Sequence, residues 1–511
     1  MLARVHSAAI LGIDAYAVEV EVDISRGLKK FDIVGLPDPA VRESRERVQA
    51  AIKNSGFEFP MEQIVVNLAP ADVKKAGPAF DLPIALGILV ASGQVSMDDD
   101  LDRTVLVGEL SLDGILRPIS GALPVSLGAK SWGKACVVVP PDNGKEAAVV
   151  DDFEVYTAET LYDCVCLLEK GFMADPVRVS EEDIDLEAEP YAIDFADVRG
   201  QEHVKRALEV AAAGGHNVLM IGPPGSGKTM LARRVPGILP HMMLDEALEV
   251  TKLYSIVGQV PRKNALIRQR PFRSPHHTVS TPGLAGGGSI PQPGEISLAH
   301  NGVLFLDELP EFSSAALEVL RQPLEDRQVT ISRAQMALTF PANFQLIAAM
   351  NPCPCGFYGD PIKPCTCNLG SIQRYQKRIS GPLLDRIDIH IEVPRLTPDE
   401  LMDRRPGEPS AQIQQRVLAA RTRQRERFEG TRFRHNGDMP SKALRDFCPL
   451  SSDCQALLRA AIDQFSLSAR AHDRIIKLAR TIADLDGADD VGVPHIAEAV
   501  QYRSLDRKLW G

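Results

Sequence analysis

The sequence is poor in several features that define large classes of protein. Aromatic residues make up only 5% of its 511 residues, which argues against a surface that binds single strands by stacking bases on rings. The net charge is −11, so contact with nucleic acid requires a local basic surface rather than bulk charge. The N-terminal segment MLARVHSAAILGIDAYAVEVEV has no apolar run of about 18 residues, so we expect a cytoplasmic protein without signal peptide or membrane span.

Cysteine occurs nine times, an odd number, and without a secretion signal, so we do not expect a scaffold held by disulfides. Hydrophobic residues reach 44%, enough for large buried cores, and the length suits about three domains. The patterns predict a mixed α/β domain at 1–175, an acidic linker at 176–195, a parallel α/β core at 196–395 and a helical domain at 396–511.

The strongest motif is an apolar strand that runs into a glycine-rich turn and then a helix, NVLMIGPPGSGKTMLARRV (217–235). Its glycines let backbone N–H groups turn toward phosphate oxygens, and the helix N-terminus adds partial positive charge. Lys228 would reach the β- and γ-phosphates of ATP, and Thr229 would bind Mg²⁺. The predicted nucleotide-binding residues are Gly222, Pro223, Pro224, Gly225, Ser226, Gly227, Lys228, Thr229 and, on a second strand, Asp307.

Two further apolar segments end in polar residues of the kind that a site for ATP hydrolysis requires. VLFLDE (303–308) ends in Asp307, which can hold Mg²⁺, and Glu308, which can polarise the attacking water. FQLIAAMN (344–351) ends in Asn351, which can orient that water against the γ-phosphate. The order of these segments along the chain predicts an ATPase.

Arg386 lies in SGPLLDRIDIHIEV (380–393), shortly after a Gly-Pro turn that directs it away from its own subunit. An arginine that enters a neighbour's active site stabilises the charge of the transition state for phosphoryl transfer. The alternative is a surface salt bridge with Asp385 or Asp388.

Together these residues resemble the AAA+ ATPases, and more narrowly the magnesium-chelatase-like branch that also holds the replicative MCM helicases. Three stretches are very similar to the YifB/ComM family of bacterial Mg-chelatase-like proteins, and the resemblance covers nearly the whole chain. They are RPFRSPHHTVSTPGLAGGGSIPQPGEISLAHNGVLFLDELPEF (270–312), NPCPCG and SGPLLDRID.

The resemblance implies a ring, a hexamer, in which ATP binds between subunits and hydrolysis depends on assembly. It implies these roles: Walker A at 222–229, Walker B at Asp307 and Glu308, sensor 1 at Asn351, and an arginine finger at Arg386. It also implies a sensor 2 arginine in LSARAHDR. Arg470 is our first candidate, and Arg474, one helical turn further on the same face, is the alternative.

Two hairpins that line a central pore are also implied. We place the first within residues 255–280, where Arg270 and Arg273 supply positive charge, and the second at 327–341, with Arg333 at its tip. These three arginines are the candidate DNA contacts. A solvated turn arginine is the alternative reading of Arg333.

ADVKKAGPAFDLPIAL (71–86) and VGELSLDGILRPISGALPVSLGAK (107–130) resemble the Lon protease domain fold. Lon-type proteases use a serine nucleophile activated by a lysine. This chain has Ala79 at the serine position, and Ala122 begins the stretch where the base lysine would be expected. We therefore predict a non-proteolytic Lon-like domain that serves assembly or DNA handling.

NPCPCGFYGDPIKPCTC (351–367) holds two Cys-x-Cys pairs. Its prolines and glycines allow sharp turns, and four thiolates suit tetrahedral Zn²⁺, although Cys-x2-Cys is the commoner spacing. A redox site would favour Cys-x-x-Cys near a thioredoxin pattern, which this sequence lacks. We interpret Cys353, Cys355, Cys365 and Cys367 as a structural zinc site, with a reduced metal-free loop and an Fe–S cluster as alternatives.

The cofactors predicted from the sequence are thus ATP, Mg²⁺ and structural Zn²⁺. The resemblance implies a hexameric DNA motor that promotes branch migration in recombination of transforming DNA, with single-stranded and branched DNA as substrates and a recombinase as a candidate partner. One alternative is a chelatase-type motor subunit that remodels a metal-inserting partner. Another is a Lon-like ATP-dependent chaperone or protease, which Ala79 disfavours.

Overall fold

The structure is a computed structural model that describes residues 1–96, 100–185, 191–262, 264–288, 290–333, 336–397, 400, 402, 405–465 and 468–505. By the contacts among these residues, the chain divides into two compact units. The first comprises Met1–Ala188 and Met243–Arg268, and the second comprises Glu189–Met242 and Gln269–Gly511. Residues 243–268, assigned from the sequence to the core at 196–395, group with the first unit, and the rest of that core groups with the predicted helical domain in the second unit.

The first unit is built on a mixed sheet. Its strands are β1 (Leu2–Leu11), β2 (Asp14–Ser25), β3 (Lys30–Val34), β4 (Gln63–Ala69), β5 (Thr104–Leu106), β6 (Glu109–Leu110), β7 (Leu116–Arg117), β8 (Cys136–Val139) and β9 (Glu154–Thr157). Among the described residues, seven of them form one sheet in the order β3-β4-β2-β1-β5-β8-β9, and β6 pairs with β7. The alternation in YAVEVEVDI buries Val18, Val20 and Val22 on one face of β2.

Helices cover this sheet. They are α1 (Pro39–Asn54), α2 (Asp81–Ala91), α3 (Asp100–Arg103), α4 (Ala122–Ser131), α5 (Gly144–Ala147), α6 (Leu161–Glu169), α7 (Glu181–Ile184) and, from the returning segment, α10 (Leu244–Ile256). Asp38 caps α1 by accepting a hydrogen bond from the backbone N–H of Val41 at 2.8 Å. Val41, Val48 and Ile52, which share one face of α1, are fully buried. The helix α7 lies in the predicted linker, 176–195, of which residues 186–190 lie outside the described residues.

The returning segment is fixed to the first unit by a buried polar contact. The hydroxyl of Ser255 donates a hydrogen bond to the Glu146 carboxylate, and the Ser255 carbonyl accepts one from the Gly121 N–H at 2.9 Å. Leu123 N–H and Asn143 Nδ2 also donate to Glu146, at 3.1 and 3.3 Å. Burial raises the pKa of Glu146 despite these three donors. Because these partners are far apart in the sequence, local patterns do not reveal the contact.

The second unit holds a parallel sheet. Its strands are β10 (Val218–Ile221), β11 (Phe272–Arg273), β12 (Gly286–Gly287), β13 (Gln292–Pro293), β14 (Val303–Leu306), β15 (Gln328–Arg333), β16 (Met336–Pro341), β17 (Gln345–Met350) and β18 (Ile389–Glu392). Within the described residues, the main sheet has the order β11-β14-β17-β10-β18, and every pairing in it is parallel. The central strands β10, β14 and β17 are wholly buried, as continuous apolar runs predict. Their carboxyl ends therefore meet at one edge of the sheet.

This unit also contains two antiparallel hairpins among its described residues. The hairpin predicted at 327–341 is confirmed, because β15 pairs with β16 from Gln328 opposite Pro341 to Arg333 opposite Met336. The first hairpin is at 286–293, where β12 pairs with β13, and not within 255–280 as predicted. Among the described residues of 255–280, the strand β11 pairs in parallel with the main sheet, so it belongs to the core rather than to a hairpin.

The helices of the second unit flank the sheet and then form a C-terminal lid. They are α8 (Glu202–Gly214), α9 (Lys228–Arg234), α11 (Thr281–Ala285), α12 (Glu295–Leu298), α13 (Ser314–Glu318), α14 (Arg321–Asp326), α15 (Leu369–Gln376), α16 (Gly381–Leu384), α17 (Ser410–Arg427), α18 (Ser441–Phe447), α19 (Ser452–Phe465), α20 (Ala469–Leu485) and α21 (Val493–Gln501). One face of α20 is fully buried and consists of Ile475, Leu478, Ala479 and Ile482. No helix in the described part of the chain is both long and apolar enough to cross a membrane.

Candidate nucleotide site and cysteine cluster

The phosphate loop, residues 222–229, joins β10 to α9 at the carboxyl edge of the parallel sheet. Gly225 and Gly227 have φ angles of 78° and 88°, a conformation that residues with a side chain rarely adopt. Gly222 has no room for a side chain either, because a Cβ there would lie 2.1 Å from the Val393 carbonyl oxygen after β18. The glycines are therefore required by the backbone path of the loop.

Lys228 lies folded back over this loop. Its Nζ donates to the carbonyl oxygens of Gly222 and Pro223 at 2.7 and 3.0 Å, and to Asn351 Oδ1 at 3.3 Å. Burial lowers the pKa of this ammonium. The structure thus brings the predicted phosphate-binding lysine and the predicted sensor 1 residue together.

The two predicted Mg²⁺ ligands also meet. The hydroxyl of Thr229 donates a hydrogen bond to Asp307 Oδ2 at 2.6 Å, across a sequence separation of 78 residues. A hydroxyl and a carboxylate oxygen are hard ligands of the kind that Mg²⁺ prefers beside phosphates, so the residues present fit the ion.

Glu308 follows Asp307 with a left-handed backbone, φ 52°, and its N–H donates to Asp307 Oδ1 at 2.9 Å. Its carboxylate lies 3.2 Å from His277 Nδ1. The sequence analysis did not include this histidine among the site residues. The two residues meet because His277 follows β11, the parallel neighbour of β14, and β14 ends just before Asp307.

Gln201 is a second residue that sequence reasoning missed. It is buried, and its Nε2 donates to the carbonyl oxygens of Ser226 and Pro394 at 2.8 and 2.9 Å. It therefore ties the phosphate loop to the chain that follows β18. Its location just before α8 carries no motif that would have indicated this role.

Arg386, the predicted arginine finger, is engaged within its own chain. Its side chain is only 10% exposed and forms an ion pair with Glu325, while Nη1 donates to the Pro382 carbonyl at 2.6 Å. The partner is therefore neither Asp385 nor Asp388. Among the described residues, the side chain of Arg386 contacts Glu325 and Pro382 and not the phosphate loop. The structure therefore does not place Arg386 at this chain's own nucleotide site.

The two candidates for sensor 2 differ in their surroundings. Arg470, in the first turn of α20, is 62% exposed and lies 3.2 Å from Asp385 Oδ2. Arg474, one turn later, is 16% exposed and donates to Asp388 Oδ1 at 2.6 Å. The exposed Arg470 is the one free to change partners.

Two of the three candidate DNA-binding arginines have partners in the core. Arg270 donates to the carbonyl oxygens of Pro240 and Asn301 at 2.5 and 2.7 Å, and Arg273 pairs with Glu295 at 2.6 and 2.7 Å. Both lie beside or in β11, at the edge of the core. Arg333 ends the strand β15 at the hairpin tip, and its side chain lies outside what the structure describes.

The four cysteines of the loop 351–367 converge. Their sulfur atoms all lie within 4.8 Å of one another. Cys353 Sγ is 3.4 Å from Cys355 Sγ and 3.7 Å from Cys365 Sγ, and the latter two are 3.5 Å apart. All nine cysteines of the chain are free thiols.

This geometry fits Zn²⁺. Zn–S bonds of about 2.3 Å in a tetrahedron place sulfur atoms about 3.8 Å apart, close to the spacings observed. Backbone N–H groups point at two of the sulfurs, from Tyr358 to Cys353 at 3.3 Å and from Cys367 to Cys365 at 3.4 Å. Such donors stabilise thiolates, which are the ligand form of cysteine.

Comparison with known proteins gives matches along the whole chain. The family model described as Magnesium chelatase, subunit ChlI matches residues 194–401, Subunit ChlI of Mg-chelatase matches 20–143, and Magnesium chelatase, subunit ChlI C-terminal matches 407–503. The chain is 45% identical to Uncharacterized protein YifB of Escherichia coli (strain K12), over 99% of this chain and 98% of that protein. It is 46% identical to Competence protein ComM of Haemophilus influenzae, over the same shares. The chain belongs to the YifB/ComM family of Mg-chelatase-like proteins.

This membership confirms the predicted α/β fold class, with a Lon-protease-like N-terminal part, an AAA+ P-loop core with hairpin insertions and a helical lid. Lon protease 2 of Bacillus subtilis (strain 168) is 30% identical over 31% of this chain and 33% of that protein. The family also suggests an ATPase that uses ATP and Mg²⁺.

Proposed function

We propose that the chain is the subunit of an ATP-driven DNA motor, a cytoplasmic hexamer that promotes branch migration during recombination of transforming DNA. The observation that carries this proposal is the similarity to Competence protein ComM, which extends over 99% of the chain. A protein that acts in competence handles incoming DNA, and a unit that holds both an ATP site and an antiparallel hairpin is suited to moving along it.

Hydrolysis is assigned to the residues at the sheet edge. Lys228 would neutralise the β- and γ-phosphates of bound ATP, and Thr229 and Asp307 would hold Mg²⁺, which would supply further charge neutralisation. Glu308 polarises the attacking water, and Asn351 orients it. His277 Nδ1 lies 3.2 Å from one carboxylate oxygen of Glu308, Oε2, so this histidine is positioned to orient the carboxylate that acts on water.

The arginines complete the site between subunits. Arg386 and Arg470 are paired with Glu325 and Asp385 of the same chain. In the assembled ring these arginines would exchange such partners for the γ-phosphate bound by a neighbour, so that ATP hydrolysis requires assembly.

DNA is contacted from the hairpin that ends at Arg333. Of the three candidate arginines, Arg333 is favoured, because Arg270 and Arg273 have partners within the core. Contacts to phosphates release counterions, so DNA affinity should fall with salt, and Arg333→Ala should reduce the slope of log affinity against log salt by about 1. Arg273→Ala serves as the matched control, since its loss should leave that slope unchanged.

Zinc completes the set of cofactors. We assign Cys353, Cys355, Cys365 and Cys367 as four thiolate ligands of one Zn²⁺ that shapes the loop and takes no part in chemistry. Metal analysis of the purified protein, beside a variant with all four cysteines changed to serine, tests this assignment. A metal-free wild-type protein would contradict it.

A three-stranded branch-migration assay tests the function. The wild-type protein should move strands with ATP, and Lys228→Ala and Glu308→Gln should not. A wild-type protein that shows ATPase activity without strand movement would overturn the proposal. Stimulation of a metal-inserting partner would then support the chelatase alternative that the family models raise, and a recombinase would be tested as a partner only after strand movement is seen.

A further inference from the structure

The cysteine loop lies directly on the phosphate loop. Gly356, between the second and third cysteines, has φ 85°, and a Cβ built there would lie 2.5 Å from Pro224 Cδ and 2.7 Å from Pro224 Cγ. The backbone of one loop is thus packed against the proline ring of the other. Pro224 stands in the middle of the turn that cradles phosphate, so any shift of Gly356 changes the support of that turn.

The cysteine loop is also joined to the site through its first residues. Asn351, which accepts a hydrogen bond from Lys228, stands two positions before the buried Cys353. Between them, the Pro352 carbonyl accepts a hydrogen bond from Gln376 Nε2 at 3.1 Å. The inner limb of the loop, residues 352–357, therefore has fixed anchors at its beginning and at Gly356.

The outer limb, residues 358–367, is held differently. Asp360 accepts from the backbone N–H groups of Ile362 and Lys363 at 2.8 and 2.9 Å and lies 3.0 Å from Arg395 Nε, just beyond β18. Residues 351–368 contain no helix or strand. Without regular secondary structure, the conformation of the loop depends on the contacts between its two limbs. The four thiols, two from each limb, converge where the limbs meet.

We propose that metal binding by the four cysteines controls the affinity of the nucleotide site, because the bound metal fixes Gly356 against Pro224. A tetrathiolate Zn²⁺ joins Cys353 and Cys355 of the inner limb to Cys365 and Cys367 of the outer limb. When the metal is lost, the inner limb is free to move away from Pro224. The phosphate loop then loses its packing contact with Gly356. This inference rests on the ATP site and the zinc ligands of the proposed function, and it is independent of any action on DNA.

Two glycines of the same loop provide a matched test. Gly356 and Gly359 both have left-handed backbones, with φ 85° and 79°, but a Cβ on Gly359 meets nothing within 4 Å. Gly356→Ala and Gly359→Ala therefore add the same methyl group with the same backbone strain, and only the first collides with Pro224. Neither change removes a thiol, so zinc content should remain at one ion per chain in both.

The experiment measures zinc content and the equilibrium Kd of ATPγS on the full chain without DNA. We expect Gly356→Ala to weaken binding by about tenfold, the scale of an overpacked contact, and Gly359→Ala to stay within about twofold of wild type. Cys365→Ser/Cys367→Ser should lose zinc and weaken ATPγS binding at least as much as Gly356→Ala.

Equal affinities for the two glycine variants would overturn the inference, and so would wild-type affinity in a zinc-free double serine variant. If the double variant does not fold, which thermal unfolding would show, the glycine pair still decides the question. Failure of the proposed motor is a separate result, because it would appear as lost strand movement with zinc content and ATPγS binding intact.

Discussion

The predicted catalytic residues fall into two groups that the structure treats differently. The residues at the ends of the parallel strands already touch one another, as the contact between Thr229 and Asp307 at 2.6 Å shows. The arginines do not join them, since Arg386 is paired with Glu325 and Arg470 with Asp385. The parallel sheet alone assembles the first group, because it brings the carboxyl ends of β10, β14 and β17 to one edge. Among the described residues, the arginines of the second group pair within their own chain, away from the first group, and we proposed above that they act in the site of a neighbouring subunit.

The largest expected effect concerns Arg386. Arg386→Ala should lower the rate of ATP hydrolysis about 10³-fold, because a finger arginine neutralises charge in the transition state. An equal mixture of Arg386→Ala and Lys228→Ala subunits should regain activity that neither has alone, since a site can then combine Lys228 of one subunit with Arg386 of another. The measurement is phosphate release from the mixture against each variant.

Glu325→Ala is the matched control, because it breaks the same ion pair and keeps the arginine. Its hydrolysis rate should equal or exceed that of the wild type. If Glu325→Ala and Arg386→Ala lose activity equally, or if mixing restores nothing, Arg386 serves the fold of its own chain and the contrast between the two groups disappears.

Within the first group, Glu308→Gln should reduce the hydrolysis rate about 10²–10⁴-fold while ATP binding persists, because it removes the general base and keeps the shape of the side chain. Lys228→Ala should instead abolish binding. Steady-state phosphate release and ATPγS binding distinguish the two effects. A Glu308→Gln protein that hydrolyses ATP at the wild-type rate would remove this residue from the site.

Substitution of the two sensor 2 candidates, Arg470 and Arg474, should change the free energy of unfolding by different amounts. Arg474→Ala removes the arginine partner of Asp388, whose side chain is only 14% exposed, and this should lower the free energy of unfolding by about 3 kcal/mol. Arg470→Ala removes an exposed pair and should change it by less than about 1 kcal/mol, because solvent screens such pairs. Urea titration measures both, and phosphate release should fall in Arg470→Ala. A stable Arg474→Ala protein that does not hydrolyse ATP would reverse the assignment.

The sequence predicted what local patterns encode. The apolar strands, the hairpin at 327–341 and the buried stripe of α20 follow from periodicity, and the phosphate loop follows from its glycines. The hairpin at 286–293 was missed because two-residue strands rich in glycine show no alternation. The contacts of His277 with Glu308 and of Gly356 with Pro224 join residues distant in sequence, which no periodic pattern reveals.

The smallest expected effect is a pH dependence of stability. It tests how firmly Arg474 of α20 is held by Asp388. Burial raises the pKa of Asp388, but the charge of Arg474 and the contacts with His216 outweigh it and hold the pKa well below its ordinary value of 3.8. Since the folded-state pKa is depressed, this stabilisation is present at neutral pH and is lost as pH falls below 3.8 toward the folded-state pKa.

Asp388→Asn keeps the shape of the side chain and removes the titrating group, so it isolates this contribution from those of other carboxylates. The difference in unfolding free energy between wild type and Asp388→Asn, measured by urea titration, should be constant near neutral pH. Below pH 3.8 it should shrink by about 1.4 kcal/mol per pH unit. A difference that does not vary with pH would mean that Asp388 is not held by Arg474. In that case both candidate arginines would be free to leave their acidic partners, and the distinction between a mobile Arg470 and a fixed Arg474 would fail.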